Sequence, residues 1–406
     1  MLVLVLNAGS SSQKSCLYDL GNSVSDTPLE PIWSAHLDRT VSDAGDALTV
    51  KSNNIEQNYT VEVEENGLKT LLNSLIRGKT KVLNSLEEID LVGHRVVHGG
   101  AKYSQPTIVD EEVKKAIADF IPLAPDHNPA HLEGIETIEK IVPNMLQVAV
   151  FDTAFHTTIP EFARVYPLPY KYYEQGIQRY GFHGTSHQYC ASRAAQILQK
   201  PLESLKLVTC HLGNGCSLAA IQNGRCIDTT MGFSPLEGLM MGTRCGSVDP
   251  QILVHLMQQY GLESPEIGHM MNHESGLLGI SGISADLRAV VAAKSDGNTR
   301  AKLAVEMYLH RLKSFIGAMV ASLDGLDVLV FTAGVGENSS LIREQTCAGL
   351  KYLGLKLDSA KNNSHPVDVN IAQDDSDVEV LAIETQEDLA IARLAANHTR
   401  HMKEKK

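Results

Sequence analysis

Five apolar runs along the chain end abruptly in polar residues or glycine. The runs are Leu2–Leu6, Ile89–Gly93, Leu146–Phe151, Leu205–Cys210 and Val328–Thr332. Short runs of aliphatic and β-branched residues predict strands that are buried on both faces. Because ligands bind beyond the carboxyl ends of strands in open α/β sheets, the turns after these runs are the expected lining of a site.

Helical segments are predicted between the strands. Asn128 and the proline that follows it predict a cap and a first helical position for Pro129–Ile141. Thr185 or Ser186 is expected to cap the next predicted helix. Aliphatic residues at spacings of three and four across Thr299–Leu323 predict a long buried helix.

One pattern occurs twice along the chain. Residues 2–20 run strand, small-residue turn and strand, and residues 205–224 repeat this order with Gly213–Gly215 at the turn. Two such hairpins imply a duplicated domain with a cleft between its halves. The polar segment 38–67 contains few core residues, and we expect it to form an exposed excursion from the first domain.

Length, charge and cysteine usage narrow the class of protein. A chain of 406 residues is too long for one typical core, which predicts two domains. The net charge of −13 argues against nucleic acids and anionic membranes as partners. The seven cysteines lack C-x-x-C spacing, which indicates small core residues in a reducing compartment. The first apolar run is too short for a signal peptide or a membrane span, so we expect a soluble cytoplasmic protein.

The segment Asn7–Lys14 is small, rich in hydroxyl groups and ends in a cation. Its backbone N–H groups, hydroxyls and ammonium group could surround a phosphate. The spacing of a Walker A loop is absent. An ordinary Gly/Ser hairpin is the alternative, so the choice depends on whether partners for a phosphate occur elsewhere in the chain.

Two arginines stand where a solvated surface charge is not expected. Arg95 lies at a strand end within His94–Gly100, and Arg244 lies between glycines in Met241–Gly246. The planar guanidinium matches phosphoryl and carboxylate oxygens. Pairing with a structural carboxylate is the alternative for each arginine.

Histidines cluster near glycine turns, and His183 and His187 are four residues apart. That spacing could suit zinc on a helix, but no glutamate lies between them and no third ligand is nearby. A neutral histidine just before a helix N-terminus is better suited to donate a hydrogen bond to an anion. His127 has the same position before its predicted helix.

Carboxylates are sparse at these turns, which makes two of them conspicuous. Asp152 closes a buried strand, so it either binds a cation or pairs with an arginine. Glu387 begins a C-terminal helix, where Asp388 is assigned to helix capping. The segments Asp286–Arg288 and Gly334–Asn338 resemble loop contacts to a nucleoside.

Together these segments resemble the acetate kinase family from residue 2 to about residue 394. The matching stretches, in order, are Asn7–Lys14, His94–Gly100, His127–Pro129, Phe151–His156, Arg179–His187, His211–Gly215, Gly242–Arg244, Asp286–Arg288 and Gly334–Asn338. Each motif is modest alone. Their agreement in order identifies the chain as a member of the family.

The resemblance implies an α/β fold with two duplicated actin/ribonuclease H-like domains around a central cleft. The first domain would span residues 1–151 and 386–406, and the second, nucleotide-binding domain would span residues 152–385. The implied reaction is reversible, in-line transfer of the γ-phosphoryl group of ATP to acetate, which gives acetyl phosphate and ADP. The cofactor would be Mg²⁺, or Mn²⁺ in its place, and the protein would be a homodimer.

The resemblance also assigns roles to residues at the matching positions. Catalytic roles fall to Arg95, Asp152, His183 and Arg244. Metal binding falls to Asn7 and Glu387. The acyl pocket would be formed by Arg95, Val97, Phe182 and Pro235. The nucleotide would be bound by Ser10, Ser12, Lys14, His211, Gly213, Asn214, Gly215, Asp286, Leu287, Arg288, Gly334, Val335, Gly336 and Asn338.

Some positions depart from the pattern of the family. Asp126 stands beside the acyl pocket where leucine is usual, and we expect it to turn to solvent or to pair locally. Gln386 and Asp388 replace asparagine and glutamate on either side of Glu387. Ala333 replaces a glycine in the adenosine loop, which we expect to be a mild steric change.

Three alternatives to this function stay open. A kinase of the same family could act on propionate or a longer acid, although Val97 favours a pocket narrowed for acetate. An actin- or Hsp70-like nucleotide switch would need the phosphate hairpins but not Arg95, Arg244 and His183 around one acyl site. The retained adenosine segments argue against a pyrophosphate-dependent relative.

Overall fold

The computed structural model describes residues 1–9, 12–21, 27–38, 46–61, 67–125 and 127–404. The chain divides into two compact units. Unit 1 comprises Met1–Ala154 and Gln386–Lys406, and unit 2 comprises Phe155–Thr385. Ser10 and Asp126 lie outside the described residues, so their expected roles stay predictions.

Within the described residues the chain forms fourteen strands. They are β1 (Leu2–Ala8), β2 (Ser12–Asp19), β3 (Trp33–Asp38), β4 (Asp46–Ser52), β5 (Ile55–Val61), β6 (Leu91–Val96), β7 (Thr107–Ile108), β8 (Gln147–Phe151), β9 (Lys206–Leu212), β10 (Cys216–Gln222), β11 (Arg225–Thr229), β12 (Val328–Thr332), β13 (Val369–Asn370) and β14 (Glu379–Ala382). All five strands predicted from apolar runs are confirmed, and the α/β class is confirmed with them. β1 is longer than predicted because its ladder with β2 continues through the pairs Asn7–Lys14 and Ala8–Gln13.

The described part of the chain also forms fifteen α-helices. They are α1 (Gly67–Ile76), α2 (Glu111–Asp119), α3 (Asn128–Ile141), α4 (Glu161–Arg164), α5 (Lys171–Glu174), α6 (Gly184–Leu198), α7 (Pro250–Tyr260), α8 (Ser264–His273), α9 (Gly276–Ser281), α10 (Leu287–Ser295), α11 (Thr299–Leu323), α12 (Ala333–Asn338), α13 (Ser340–Ala348), α14 (Ser359–Asn363) and α15 (Glu387–Glu404). The long helix α11 is confirmed at its predicted bounds. None of the helices in the described ranges is long and apolar enough to cross a membrane.

Unit 1 is built on a mixed sheet of eight strands in the order β5-β4-β3-β2-β1-β6-β8-β7. The central strands β1, β6 and β8 are parallel, so their carboxyl ends meet at one edge of the sheet. Leu389, Ile391 and Ala395 of α15 pack against buried residues of β1 and β8, including Val5 and Val150. This packing fixes the first turn of α15 to the sheet of unit 1.

The described part of the segment 38–67, residues 46–61, is regular and not an irregular excursion, so the expectation is wrong for these residues. Residues Asp46–Ser52 and Ile55–Val61 form β4 and β5, which extend the sheet beyond β3. Leu48 and Val50 face the core beside Trp33, and all three side chains are nearly fully buried. The alternation of these apolar residues with polar ones is typical of strands at a sheet edge, which need only one apolar face.

Unit 2 is built on a mixed sheet of six strands in the order β11-β10-β9-β12-β14-β13. The strands β9, β12 and β14 are parallel. β9 and β10 pair antiparallel around the turn Gly213–Gly215, as β1 and β2 do in unit 1. The repeated hairpin predicted from the sequence is therefore confirmed.

Two predicted helix caps are wrong, and both helices begin earlier than expected. Asn128 is the first residue of α3, and its buried amide donates to the Ile117 carbonyl at 3.0 Å instead of capping the helix. Thr185 and Ser186 lie inside α6, whose N-cap is His183. The local sequence could not predict either change of N-cap. In both helices the side chain that was expected to cap the helix instead makes a contact with a residue distant in sequence.

Candidate active site

Arg95 and Asp152 form a buried ion pair at the carboxyl ends of β6 and β8 in unit 1. Nε of Arg95 donates to Asp152 Oδ1 at 3.2 Å and to Oδ2 at 3.1 Å, and Nη2 donates to Oδ2 at 2.7 Å. The side chains retain 15% and 3% of their exposure. Of the two alternatives expected for Asp152, a cation or an arginine, the structure shows pairing with an arginine. The pair holds the guanidinium plane in one orientation at the edge of the sheet.

Asn7 connects this ion pair to the start of α15. Nη1 of Arg95 donates to Asn7 Oδ1 at 3.1 Å, and Asn7 Nδ2 donates to Asp388 Oδ1 at 2.7 Å. Burial alone would lower the pKa of Arg95, but the carboxylates of Asp152, Glu387 and Asp388 together raise it. Arg95 therefore stays charged. Asp388, which the sequence assigns to capping, also holds the amide of Asn7.

The predicted metal residues supply the oxygen atoms that a hard cation prefers. Asn7 offers an amide oxygen and Glu387 offers a carboxylate, and Asp388, which the sequence assigns to capping, adds a second carboxylate. Both carboxylates are close enough to Arg95 to affect its pKa. Within the described residues no three His, Cys, Asp or Glu side chains gather as a metal cage. Mg²⁺ bound with a nucleotide needs only one or two carboxylates, because phosphates and waters complete its shell. This donor set fits such an ion.

The turn between β1 and β2 is the first of the two predicted phosphate-binding hairpins, and a backbone hydrogen bond closes it. Gly9 N–H donates to the Ser12 carbonyl at 2.7 Å. Lys14 is exposed and lies directly opposite Asn7 in the β1–β2 ladder, so both side chains are on the same face of the sheet. Ser12 and Lys14 are thus available to an anion. Ser10 belongs to the part of the turn that is not described.

Val97, the predicted acyl-pocket residue of unit 1, is held by His131 of α3. His131 Nε2 donates to the Ala8 carbonyl at 3.0 Å, and its Nδ1 accepts from Val97 N–H at 3.4 Å. Burial lowers the pKa of His131 to about 3, so the ring is neutral and has one donor and one acceptor. His131 thereby ties the end of β1 to the backbone of the buried residue Val97.

In unit 2, His183 and Arg244 converge on the turn Gly213–Gly215. A β-carbon at Gly215 would lie 3.4 Å from His183 Nε2 and 3.4 Å from Arg244 Nη1. Arg244 Nη1 also donates to the carbonyl of Pro235, at 3.3 Å. Two nitrogen groups that can donate to an anion therefore meet beside a residue with no side chain.

His183 stands in a strained backbone position. Its φ is +57°, in the left-handed region, and α6 begins immediately after it. Non-glycine residues in this region cluster at functional sites. The preceding residue, Phe182, is fully buried, and its carbonyl accepts a hydrogen bond from His156 Nε2 at 2.9 Å.

Hydrogen bonds behind His183 involve two further histidines. His183 stacks on His211 with ring centroids 4.1 Å apart. His183 Nδ1 lies 2.8 Å from Ser217 Oγ, and Ser217 Oγ lies 2.8 Å from His187 Nε2. His211 Nδ1 lies 2.8 Å from Ser186 Oγ. These contacts, at the ring face and at Nδ1, fix the orientation of His183 and leave its Nε2 directed to the turn.

A cavity of about 920 Å³ in unit 2 is lined in part by Gly213 and Asn214 of the turn Gly213–Gly215. Its size is typical of a small-molecule site. Eight of the predicted nucleotide residues line it: Gly213, Asn214, Asp286, Leu287, Arg288, Gly334, Val335 and Asn338. His211, Gly215 and Gly336 are not among the lining residues. Apolar side chains that the sequence did not single out complete the wall, namely Leu277, Val291, Ala292, Tyr308 and Leu341.

Both adenosine segments belong to helices, whereas the sequence predicts loops: one begins α10 and the other forms most of α12. Asp286 is the N-cap of α10, and its carboxylate accepts from Arg288 N–H at 2.8 Å. Gly334–Asn338 lies in α12. Ala333 has a φ of +62°, so replacing glycine here strains the backbone and is not a mild steric change.

Sequence reasoning did not find the residues that support the site from behind. Ser217, His131 and Thr209, whose Oγ1 lies 2.7 Å from His187 Nδ1, bear no motif of their own. Ser217 could have been found from the repeated hairpin, because β10 places it opposite His211. His131 gave no such signal, since its partners Ala8 and Val97 are distant in sequence.

Almost the whole chain is similar to known proteins. The profile described as the acetokinase family matches residues 2–393. The acetate kinase of Rippkaea orientalis is 58% identical over 396 residues, which are 97% of this chain and 98% of the relative. The crystal structure of Porphyromonas gingivalis acetate kinase is 41% identical with a TM-score of 0.88, covering 98% of this chain and 99% of that one. A propionate kinase from Francisella tularensis is 37% identical with a TM-score of 0.88 and the same coverage.

Proposed function

The chain belongs to the acetokinase family, and on this premise we propose that it is an acetate kinase. It transfers the γ-phosphoryl group of ATP to acetate, giving acetyl phosphate and ADP, and catalyses the reverse reaction. The observation that carries the proposal is the full-length similarity to curated proteins named acetate kinase. The arginines, histidine and cavity described above supply the chemistry that such a transfer requires.

The chemical problem in this reaction is charge. A carboxylate is already a nucleophile at neutral pH, so no general base is needed. The difficulty is bringing an anion up to an anionic phosphoryl group, which calls for charge neutralisation and in-line alignment. Positively charged groups held in fixed positions therefore contribute most of the catalysis.

In unit 1 this role falls to Arg95. Asp152 holds the guanidinium through Nε and Nη2, and Asn7 holds it through Nη1. The group is thus oriented before substrate binds, which avoids reorganisation during the reaction. We propose that Arg95 stabilises charge on the transferring group, that Asp152 orients it and that Val97 narrows the acyl pocket.

In unit 2 the proposed roles follow the turn Gly213–Gly215. The nucleoside would occupy the cavity, and its phosphates would run along the turn toward His183 and Arg244. His183 would donate a hydrogen bond from Nε2, and Arg244 would supply positive charge. Phe182 and Pro235 stand next to these two groups, which supports their proposed place in the acyl pocket.

We propose Mg²⁺ as the cofactor, held by Asn7 and Glu387. When bound, the ion neutralises charge on the nucleotide phosphates. Asp388 holds the amide of Asn7 by accepting from Nδ2, and the amide oxygen accepts from Arg95 Nη1, which leaves its second lone pair for the ion. The residue that departs from the family at this position therefore keeps a positioning role.

We also propose that the protein is a cytoplasmic homodimer. None of the residues of α7 is buried, and Ile252, Met257 and Tyr260 retain 50%, 41% and 71% of their exposure. An exposed apolar helix of this kind supports an interface with a second copy. None of the seven cysteines, all of them among the described residues, forms a disulfide bond, in keeping with a reducing compartment. Sedimentation of the 44.2 kDa chain as a monomer would contradict the dimer.

The proposed function is tested by a substrate panel. Acetate, propionate and butyrate are each incubated with Mg-ATP or pyrophosphate, and the acyl phosphate is trapped with hydroxylamine. We expect product with acetate and ATP. If no pair gives product, the enzyme is not a carboxylate kinase.

Propionate is the second candidate substrate. The similarity to the Francisella tularensis propionate kinase, at the same TM-score as the acetate kinase structure, favours keeping it. One methylene changes specificity by only about 10- to 200-fold in an apolar pocket. A higher kcat/KM for propionate than for acetate in the panel would reverse the assignment.

A further inference from the structure

A chain of four polar side chains runs inward from His183 in unit 2. His183 Nδ1 lies 2.8 Å from Ser217 Oγ, which lies 2.8 Å from His187 Nε2, and His187 Nδ1 lies 2.7 Å from Thr209 Oγ1. Ser217, His187 and Thr209 are all fully buried. Only His183 is partly exposed.

The fold places these residues together from three elements. Thr209 and His211 are two positions apart on β9, so they share a face of the sheet. Ser217 of β10 is paired with His211, which puts it on the same face. α6 packs on β9, and His187 follows the N-cap His183 by four positions, so the two side chains are on one side of the helix.

The number of hydrogens available fixes which group donates in each of these hydrogen bonds. Among the described residues, His187 Nδ1 is the hydrogen-bond partner of Thr209 Oγ1. If His187 donated to Thr209, the buried hydroxyl hydrogen of Thr209 would have no acceptor, which is costly. Thr209 therefore donates to Nδ1, and His187 has its own hydrogen on Nε2. Burial lowers the pKa of His187 well below its usual value, so the ring has no second hydrogen.

The remaining steps follow from this direction. His187 Nε2–H donates to Ser217 Oγ, and the single hydroxyl hydrogen of Ser217 is left for His183 Nδ1. We propose that Ser217, His187 and Thr209 are positioning residues that hold His183 in the tautomer with its hydrogen on Nε2. This inference rests on the proposed function, in which Nε2 of His183 faces the transferring phosphoryl group.

The proposed tautomer is the one that the reaction needs. The Cε1–Nε2 edge of the His183 ring faces Gly215 beside Arg244, with both atoms 3.4 Å from a β-carbon built at Gly215, and Nε2 is the only atom of this edge that can exchange a hydrogen bond with an anion. With hydrogen on Nε2 the ring donates to a phosphoryl oxygen, whereas the other neutral tautomer would present a lone pair to it. The hydrogen bond at the far ring nitrogen sets tautomer and orientation, as it does for histidines that bind metals.

Two variants and a control test the proposal in the full-length enzyme. Ser217→Ala removes the group that donates to His183, and we expect kcat to fall by about 10- to 100-fold while KM for acetate and ATP changes little. Thr209→Val keeps the side-chain shape but removes the anchoring hydroxyl, and we expect a smaller fall in kcat. Ser74→Ala is the control, because Ser74 is a buried serine of α1 in unit 1 that bonds only to the Leu71 carbonyl in the described structure.

The ¹⁵N NMR spectrum of histidine-labelled enzyme measures the tautomer without reference to activity. We expect His183, assigned by its absence in His183→Asn, to carry hydrogen on Nε2 in the wild type and to lose this preference in Ser217→Ala. A wild-type His183 with hydrogen on Nδ1 overturns the proposal, as does a kcat for Ser217→Ala within two-fold of the Ser74→Ala control. If the wild type makes no acyl phosphate, the proposed function fails, but the spectrum still decides the tautomer.

Discussion

At the scale of single residues, the guanidinium group of Arg95 is expected to have the largest effect on kcat. Its guanidinium is fixed by Asp152 and Asn7 in a buried setting. Arginines that stabilise phosphoryl transfer contribute about 10³- to 10⁵-fold to the rate. We expect Arg95→Ala to lower kcat by about this order or somewhat less, as measured by hydroxamate formation at saturating substrates. Arg244→Ala in unit 2 should behave in the same way.

Two further variants separate the charge of Arg95 from its geometry. Arg95→Lys keeps the charge but cannot reproduce the bidentate pairing with Asp152, so its kcat should lie between those of the wild type and Arg95→Ala. Arg77→Ala removes an exposed arginine of unit 1 and should leave kcat unchanged. A fall of only a few-fold in Arg95→Ala would remove this arginine from the catalytic set.

Ala333 is a second residue whose effect depends on backbone geometry. Its φ of +62° costs an L-residue about 1–2 kcal/mol. Glycine avoids this cost but loses part of the gain, because it is more flexible in the unfolded chain. We expect Ala333→Gly to raise the free energy of unfolding by about 0.5–1 kcal/mol in urea titrations. Ala321→Gly is the matched control with the opposite sign, because it lies exposed within α11 and should lose about 1 kcal/mol. A loss of stability in Ala333→Gly would show that the position is not strained.

The residues proposed to form the site were easier to predict than those that hold them in place. Arg95, Asp152 and His183 stand in rare local settings, at strand ends or before a helix, and such settings are visible in the sequence. The roles of Ser217 and Asp388 depend on partners 34 and 381 residues away. No local pattern encodes such a pair, so only the folded chain reveals it.

At the scale of secondary-structure elements, the short helix α12 depends on a neighbour for its position. Arg343 of α13 is 1% exposed, and its Nη1 donates to the carbonyls of Gly336 at 2.9 Å and Glu337 at 2.6 Å. Its Nε and Nη2 bond to Asn362 of α14. One guanidinium thus fixes the end of a helix that lines the cavity.

We expect Arg343→Lys to disturb the cavity more than the catalytic groups. Lysine keeps the charge but cannot reach all four acceptors, so the free energy of unfolding should fall by about 2–4 kcal/mol. KM for ATP should rise several-fold while KM for acetate stays near its wild-type value. Arg225→Lys, at an exposed position of β11, controls for the substitution itself. Equal rises in both KM values would contradict a local role.

Strands and helices with a clear periodic pattern of apolar residues were predicted well. Elements whose conformation depends on tertiary contacts were not. The buried parallel strands and α11 are set by long apolar patterns, and the structure confirms them. α12 begins with Ala333-Gly334-Val335-Gly336, a composition that favours a loop. It is helical because Arg343 and the neighbouring strand hold its ends, which composition cannot show.

At the scale of the whole molecule, buried neutral histidines make the free energy of unfolding depend on pH. In unit 1, burial lowers the pKa of His94 to about 4 and that of His131 to about 3. In unit 2, burial lowers the pKa of His156 to about 4. The unfolded chain binds protons at these residues near pH 6.5, whereas the folded chain does not. Their contribution to stability is therefore complete above pH 6.5 and is lost as the pH falls toward 4.

Unit 1 offers a direct measurement of this linkage, because Trp33 is the single tryptophan of the chain and is fully buried there. Its fluorescence in urea titrations follows the unfolding of unit 1. Each buried histidine adds up to about 1.4 kcal/mol per pH unit, so His94 and His131 together should lower the free energy of unfolding by up to about 2.7 kcal/mol per unit between pH 6 and pH 5. In His94→Gln the amide can still donate to Gln147 Oε1, which His94 Nε2 contacts at 2.7 Å, but it binds no proton. The two histidines should together make the free energy of unfolding depend on pH about twice as steeply in the wild type as the one remaining histidine does in this variant. An unchanged pH dependence would mean that other groups cause the acid sensitivity.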